Sequence, residues 1–427
     1  MRHTNRSALL AAILSLSLGL AATTAAAEPA TRPAAPRASA ALLVGGPHLP
    51  DAARVDAAEA AAVGGLHGLP APVGRRLVVH HREVNDLYAE LLADPPPGFA
   101  GLWMDEETAG EVVVAATGSA SANAAASRVA GRLSLPDTVT TRVVEASRNE
   151  LETLRRRIER DAETGGLASP VLGTYVDEPS NFVVVNVPAT TTDEDLAAMS
   201  RSYGRVRFEP IATMTDDAIP AVKADGTCQA VPTQCNPLRG GAVIGSCTIG
   251  FIAKNAAGTR RVISAGHCSN TNFNHNGTAI GSLVAERYGG SVDAQTVSIN
   301  SGWQSRNWVI NGAGNQKYAI TSVSANTNLA TGTALCRYGK TSFLSCGKVK
   351  NGSWSGTFDN VSGWTNMLLT DNCAEGGDSG GPYFADNRAH SVHKGTSRNL
   401  LGGCSWAISS YVKNVQTALS VTILTAP

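Results

Sequence analysis

A serine, a histidine and a carboxylate in this sequence have the types and order needed to make an alcohol attack a carbonyl carbon. The alcohol is Ser379, set in Cys373-Ala374-Glu375-Gly376-Gly377-Asp378-Ser379-Gly380-Gly381-Pro382. A serine hydroxyl is a weak nucleophile until a base takes its proton and donors hold the oxyanion that forms. The glycines around Ser379 let the backbone curl tightly and bare the amides of Gly377 and Ser379, a donor pair suited to that oxyanion. His267, in Val262-Ile263-Ser264-Ala265-Gly266-His267-Cys268, offers the base. A carboxylate must then hold the imidazole in one tautomer and steady its charged form. Asp293, Asp359 and Asp371 all lie between the histidine and the serine. Gly377-Asp378-Ser379-Gly380-Gly381 also fits the G-x-S-x-G turn of α/β-hydrolases, whose chain order is serine, acid, histidine. Here the histidine comes first, and only 48 residues follow Ser379, too few for the rest of that fold.

With their flanking half-cystines, the two motifs resemble the chymotrypsin-like serine proteases, most closely the bacterial alpha-lytic protease and streptogrisin branch. That resemblance covers most of residues 226–427 and implies an all-β domain of two six-stranded antiparallel barrels with the site in the cleft between them. It implies a serine endopeptidase working through an acyl-enzyme on a protein or peptide substrate, with no metal and no organic cofactor. Asp293 becomes the triad's acid, because it opens a strand-like run in Gly290-Ser291-Val292-Asp293-Ala294-Gln295-Thr296-Val297 as the family's acid does. Val292 stands where the family often has Asn. Arg337, in Cys336-Arg337-Tyr338-Gly339-Lys340-Thr341, becomes the buried ion partner of Asp378, so activation needs removal of a preceding domain and not a newly freed N-terminus.

The sequence alone leaves the pairing of eight cysteines open. The resemblance selects Cys247–Cys268, Cys336–Cys346 and Cys373–Cys404, which leaves Cys228–Cys235 as a local clip. It also makes His393, Lys394, Gly395 and Thr396 the strand that pairs with substrate and walls the specificity pocket. The family usually has Ser where Lys394 falls and Gly where Thr396 falls, unless a shift in register puts Ser397 there. Both departures imply a narrower, more basic pocket in which His393 or Lys394 favours an acidic side chain before the cleaved bond. The alternative is a small apolar pocket with Lys394 turned to solvent.

The elements that must position these groups lie in two halves of opposite charge. Residues 226–427 carry 15 Lys/Arg against 7 Asp/Glu, whereas residues 28–225 carry 18 against 28. Such halves attract and dock. The basic residues are scattered without interleaved aromatics, which speaks for a solvated face and against nucleic-acid binding. All eight cysteines fall in the basic half, as expected of disulfides in an exported chain. Arg2, Arg6, an apolar run from Ala8 to Ala22 and Ala25-Ala26-Ala27 form the three parts of a secretory signal peptide, 1–27. No later run is apolar enough for a membrane span. The mature protein is therefore expected to be secreted, off the membrane and monomeric.

An Ala/Pro-rich flexible leader, 28–60, precedes an α+β segment, 61–217. Strands are expected at Glu111–Ala116, Val139–Ala146, Asn181–Val187 and Arg205–Phe208. Leu151, Leu154 and Ile158 predict a helix over 148–163, and the acids after Thr192 start another. His80 and His81, beside Arg82 and Glu83, read as an exposed helix face and not a metal site. The segment resembles an alpha-lytic-type prodomain, which implies a folding aid that then inhibits the protease. A polar, breaker-rich stretch from Thr215 onward is expected as an exposed loop, with a processing region over 218–240. From residue 226, short β-branched runs between turns predict the all-β domain, with a short helix near 411–419. The competing function is a protease-like binding module with little or no turnover.

Overall fold

The computed structural model describes residues 40–43, 49–216, 235–268, 271–312 and 317–426. The expected signal segment, residue 217, Cys228 and the rest of 218–234 in the processing region lie outside them. Residues 28–60 are not a flexible leader throughout. Leu42, Leu49 and Val55 are buried, Pro50–Arg54 forms a 3-10 turn, and a helix starts at Ala57. These apolar side chains find their core in the other half of the chain, which local composition does not reveal.

In the acidic half, α1 (Ala57–Gly65) starts on Asp56, whose carboxylate accepts from the first-turn amides of Ala58 and Glu59. The long helix α2 (Ala71–Ala93) follows. Strands β1 (Phe99–Met104), β2 (Val112–Ala116) and β3 (Val139–Val143) form one sheet, with α3 (Ser119–Ala130) between the second and third. Helix α4 (Arg148–Glu163) coincides with the predicted one. Ser147 and Glu150 cap it reciprocally, and Leu151 and Ile158 turn inward onto Val183, Val185 and Val187. The next unit runs β4 (Gly173–Asp177), β5 (Phe182–Pro188), α5 (Asp193–Tyr203) and β6 (Val206–Ile211). Strand β6 lies parallel to β5, as a helical crossover demands. Strand β7 (Thr213–Asp216) ends this half.

The basic half is mostly strand. Its main elements are β8 (Ile252–Lys254), β9 (Arg260–Ser264), β10 (Leu283–Gly289) and β11 (Val292–Ser298), then β12 (Ala334–Gly339), β13 (Phe343–Phe358) and β14 (Val361–Thr370). β15 (Pro382–Ala385), β16 (Arg388–Arg398), β17 (Cys404–Tyr411), α6 (Val412–Leu419) and β18 (Thr422–Ile423) complete it. One five-stranded sheet runs β10-β11-β9-β8-β18. An eleven-stranded sheet runs β12-β15-β16-β17-β14-β13 and continues into β4-β5-β6, with β7 and the short strand Ser322–Val323 both laid on β16.

The larger sheet therefore crosses both halves, through Ser355 opposite Thr174 and Gly356 opposite Gly173. Their cores cross too. Trp354, Phe358, Trp364 and Trp406 pack with Tyr175, Val184 and Ile211, while Leu42, Val63 and Leu77 share a cluster with Phe251, Ile263 and Phe384. Ion pairs line the join: Arg82–Asp386 at 2.6 Å, Asp86–Arg388 at 2.9 Å and Glu106–Lys348 at 3.2 Å.

His80 and His81 are both buried, not an exposed helix face. His80 Nε2 lies 2.9 Å from the Gly110 carbonyl, and His81 Nδ1 accepts from the Ala334 amide at 3.0 Å. Burial drives the pKa of His80 down to about 4 and that of His81 well below its ordinary value. Neutral imidazoles suit an apolar join between halves. Among the described residues no helix is long and apolar enough to cross a membrane.

Candidate active site

Strands β9 and β11 pair antiparallel, Ser264 opposite Gln295. The turn that leaves the first therefore sits beside the start of the second, and His267 meets Asp293. His267 Nδ1 lies 2.6 Å from Asp293 Oδ2, and the His267 amide donates to Oδ1 at 3.0 Å. The Asp293 amide donates to Ser410 Oγ at 2.8 Å, which fixes the strand end. Burial opposes a charge on His267, but the Asp293 carboxylate outweighs it and raises the imidazole's pKa. Burial also opposes the Asp293 charge, yet His267 and Lys394 hold this carboxyl below the ordinary carboxylate range.

Ser379 sits where a loop turns into β15. Gly380, at φ +86°, donates its amide to the His393 carbonyl at 2.9 Å. A Cβ there would lie 2.3 Å from Ser264 Oγ and 2.8 Å from the Ala265 amide, so only glycine lets this loop press against the segment leading to His267. Among the described residues neither the Gly377 nor the Ser379 amide has an acceptor. Ser379 Oγ donates to the Lys394 carbonyl at 3.4 Å, and His267 Nε2 makes no hydrogen bond among the described residues. The structure thus brings His267 onto Asp293, and Ser379 onto the strand of Lys394, without closing the Ser379–His267 bond. Such bonds are commonly long until substrate is bound.

Asp378 points away from this site. Its Oδ2 lies 3.1 Å from the Arg337 guanidinium, both side chains are fully buried, and the amides of Thr341, Ser342 and Glu375 also donate to it. Burial works against its charge, but Arg337 and these donors keep its pKa below the ordinary value. Disulfides Cys247–Cys268, Cys336–Cys346 and Cys373–Cys404 are formed. Cys235 is also disulfide-bonded; its expected partner Cys228 lies outside the described residues.

Lys394 does not turn to solvent. Its side chain is 0% exposed, with Nζ 2.8 Å from Asp216 Oδ1, 3.3 Å from Asp293 Oδ2 and 3.3 Å from the Tyr288 hydroxyl. The rings of Trp364, Tyr288 and Phe358 surround it at 4.5, 4.6 and 5.0 Å. Burial opposes its charge, but Asp293 and Asp216 outweigh it and raise the pKa. His393 is buried beneath Gly380 and Gly381, and the Thr396 hydroxyl donates to Ala374 O at 3.4 Å.

Asp216 comes from β7, which runs antiparallel to β16 with Asp216 opposite Gly395, Thr215 opposite Thr396 and Met214 opposite Ser397. Thr215 and Asp216 are therefore strand, not the exposed loop that their polar, breaker-rich surroundings predict. Burial lifts the Asp216 carboxyl above its ordinary range, although His267 and Lys394 pull it down. Among the described residues Asp216, His267 and Asp293 are the one group of three metal-ligand types, and the Lys394 ammonium already supplies a cation to both of its carboxylates. Asp216, Tyr288 and Trp364 had no local signal, since each reaches the site only through strand pairing.

No protein-family model matches the chain. Serine protease 1 of Streptomyces fradiae is 27% identical over 324 residues, 75% of this chain and 81% of that protein. Streptogrisin-C of Streptomyces griseus is 28% identical over 59% of this chain, and the match spans 51% of that protein's own length. Glutamyl endopeptidase 2 of Streptomyces griseus is 30% identical over 204 residues, 44% of this chain and 98% of that protein. The solved Nocardiopsis protease NAPase aligns with TM-score 0.37 and 26% identity over 44% of this chain and 99% of its own. The curated relatives define the class: a serine-type endopeptidase, a hydrolase of protein or peptide substrates. Within that class, the chain belongs to the chymotrypsin-like serine proteases of bacteria.

Proposed function

We propose that the chain is the precursor of a secreted endopeptidase whose triad is Ser379, His267 and Asp293. The observation that carries this reading is the 2.6 Å contact of His267 with a buried Asp293, next to the loop of Ser379. His267 Nε2 takes the hydroxyl proton as Ser379 Oγ bonds to the substrate carbonyl carbon. The amides of Gly377 and Ser379 hold the resulting oxyanion. As the carbon–nitrogen bond breaks, His267 returns the proton to the leaving amine, and water later releases the acyl group by the same proton path. Asp293 orients the imidazole and steadies its charge throughout.

In the same reading residues 226–427 fold as two barrels flanking this cleft, with Cys228 completing the fourth disulfide. Residues 61–217 act as prodomain, and β7 blocks the cleft until it is removed. The molecule is a monomer, exported by its signal segment. A fluorophosphonate probe should label the processed wild type and not Ser379→Ala, whose kcat should fall roughly a millionfold. Absence of labelling in processed wild type would replace this reading with a binding module. Mass mapping of the secreted protein checks the signal cut, the maturation bond and the disulfides.

A further inference from the structure

Lys394 is an ammonium buried among three aromatic rings and held by two carboxylates of different origin. Asp293 belongs to the basic half for good. Asp216 belongs to the segment that the proposed maturation removes. A buried charge stripped of one partner is costly, so the cleft is left with an unfilled place for a carboxylate.

The register says which substrate residue would fill it. Strand β7 lies on β16 in the manner of an added strand, and Asp216 is opposite Gly395. A chain following that course reaches Lys394 with its next residue, because the pairing is antiparallel. The Lys394 carbonyl is the one 3.4 Å from Ser379 Oγ. The residue at the place of Asp216 is thus second before the cleaved bond, and the residue after it presents the carbonyl that is attacked.

We propose that Lys394 is a specificity-determining residue that reads an acidic side chain on the second residue before the cleaved bond, and that Asp216 is its built-in occupant. The inference rests on the reading of Ser379 as nucleophile. The short Asp216 side chain reaches Nζ at 2.8 Å from a paired backbone, so aspartate fits this place better than glutamate, and a neutral amide leaves the ammonium without its second charge.

The test uses mature enzyme processed from the full chain and a fluorogenic peptide library. Only the second residue before the cleaved bond is varied, among Asp, Glu, Asn, Ala and Lys, and the residue at the bond is a mixture. The expected result is a kcat/KM for Asp at least about tenfold above Asn and Ala, with Lys lowest. In Lys394→Met the Asp-to-Asn ratio falls to near one. The ratio is the readout, because Lys394 also touches Asp293 and its loss lowers the absolute rate. If that variant does not mature, the wild-type series still decides. Cleavage with an Asp-to-Asn ratio near one, or the wild-type ratio kept in Lys394→Met, overturns the assignment of Lys394 and leaves Ser379 standing. No cleavage together with no probe labelling overturns both.

Discussion

An ammonium 3.3 Å from the acid of the proposed catalytic pair changes the proton balance of that pair. At His267 burial lowers the pKa, Asp293 and then Asp216 raise it, and Lys394 lowers it. Release of β7 removes the Asp216 contribution and leaves that of Lys394. In the proposed mechanism the base acts as neutral imidazole, so activity appears as pH rises above its pKa, and Lys394 brings that rise to lower pH. In Lys394→Met the acid limb of kcat/KM against pH should move to higher pH. A limb that stays in place or moves the other way contradicts this electrostatic role. His267 and Ser379 were legible because each sits in a contiguous motif. Asp293 could be chosen over Asp359 and Asp371 only through a resemblance. The meeting of Lys394 with Asp216 was not legible, since it joins residues 178 positions apart through the register of two strands.

Helix α1 carries Glu59 into the join between the halves, where the Tyr318 hydroxyl and the Asp386 amide donate to it at 2.7 and 2.8 Å. Burial lifts its pKa from 4.5 to about 7, so the folded chain prefers this carboxyl protonated. Stability from that proton is fully present below pH 4.5 and is lost as pH rises through about 7. Glu59→Gln keeps an acceptor oxygen for the Asp386 amide and turns its NH2 group to the Tyr318 oxygen, as the protonated acid would, and should remove this fall. In full-length Ser379→Ala, urea unfolding should show Glu59→Gln gaining on Glu59 between pH 4 and 8, by up to about 3 kcal/mol. Equal pH dependence in the two proteins would count against the burial argument. Helix α4 was legible because its apolar period and end signals are local, and α6 because no turn residue interrupts its run. The burial of His80, His81 and Glu59 was not, because each reads as polar until the partner surface is present. The join of β13 to β4 was hidden for the same reason: β-branched periodicity marks a strand and does not name its neighbour.

Across the whole molecule, the two halves complete each other's sheet and core. Without residues 28–225 the β13 edge at Ser355 and Gly356 loses its partner strand, and Trp354, Phe358 and Trp364 lose the cover of Tyr175, Val184 and Ile211. Exposing three large aromatic faces costs on the order of 5 kcal/mol, comparable to the whole net stability of a typical domain, about 5–15 kcal/mol. Disulfides stabilise chiefly by restricting the unfolded chain, and they do not supply the missing strand. Residues 226–427 expressed alone should therefore yield little protein that labels with a fluorophosphonate. Refolding in the presence of residues 28–225 as a separate chain, which is then digested away so that β7 leaves the cleft, should restore labelling. The charge opposition of the halves predicts that this rescue weakens as salt in the refolding step rises. Ready refolding of residues 226–427 alone to full activity would show that the shared sheet is a docking surface for an already stable enzyme and not a condition of its folding.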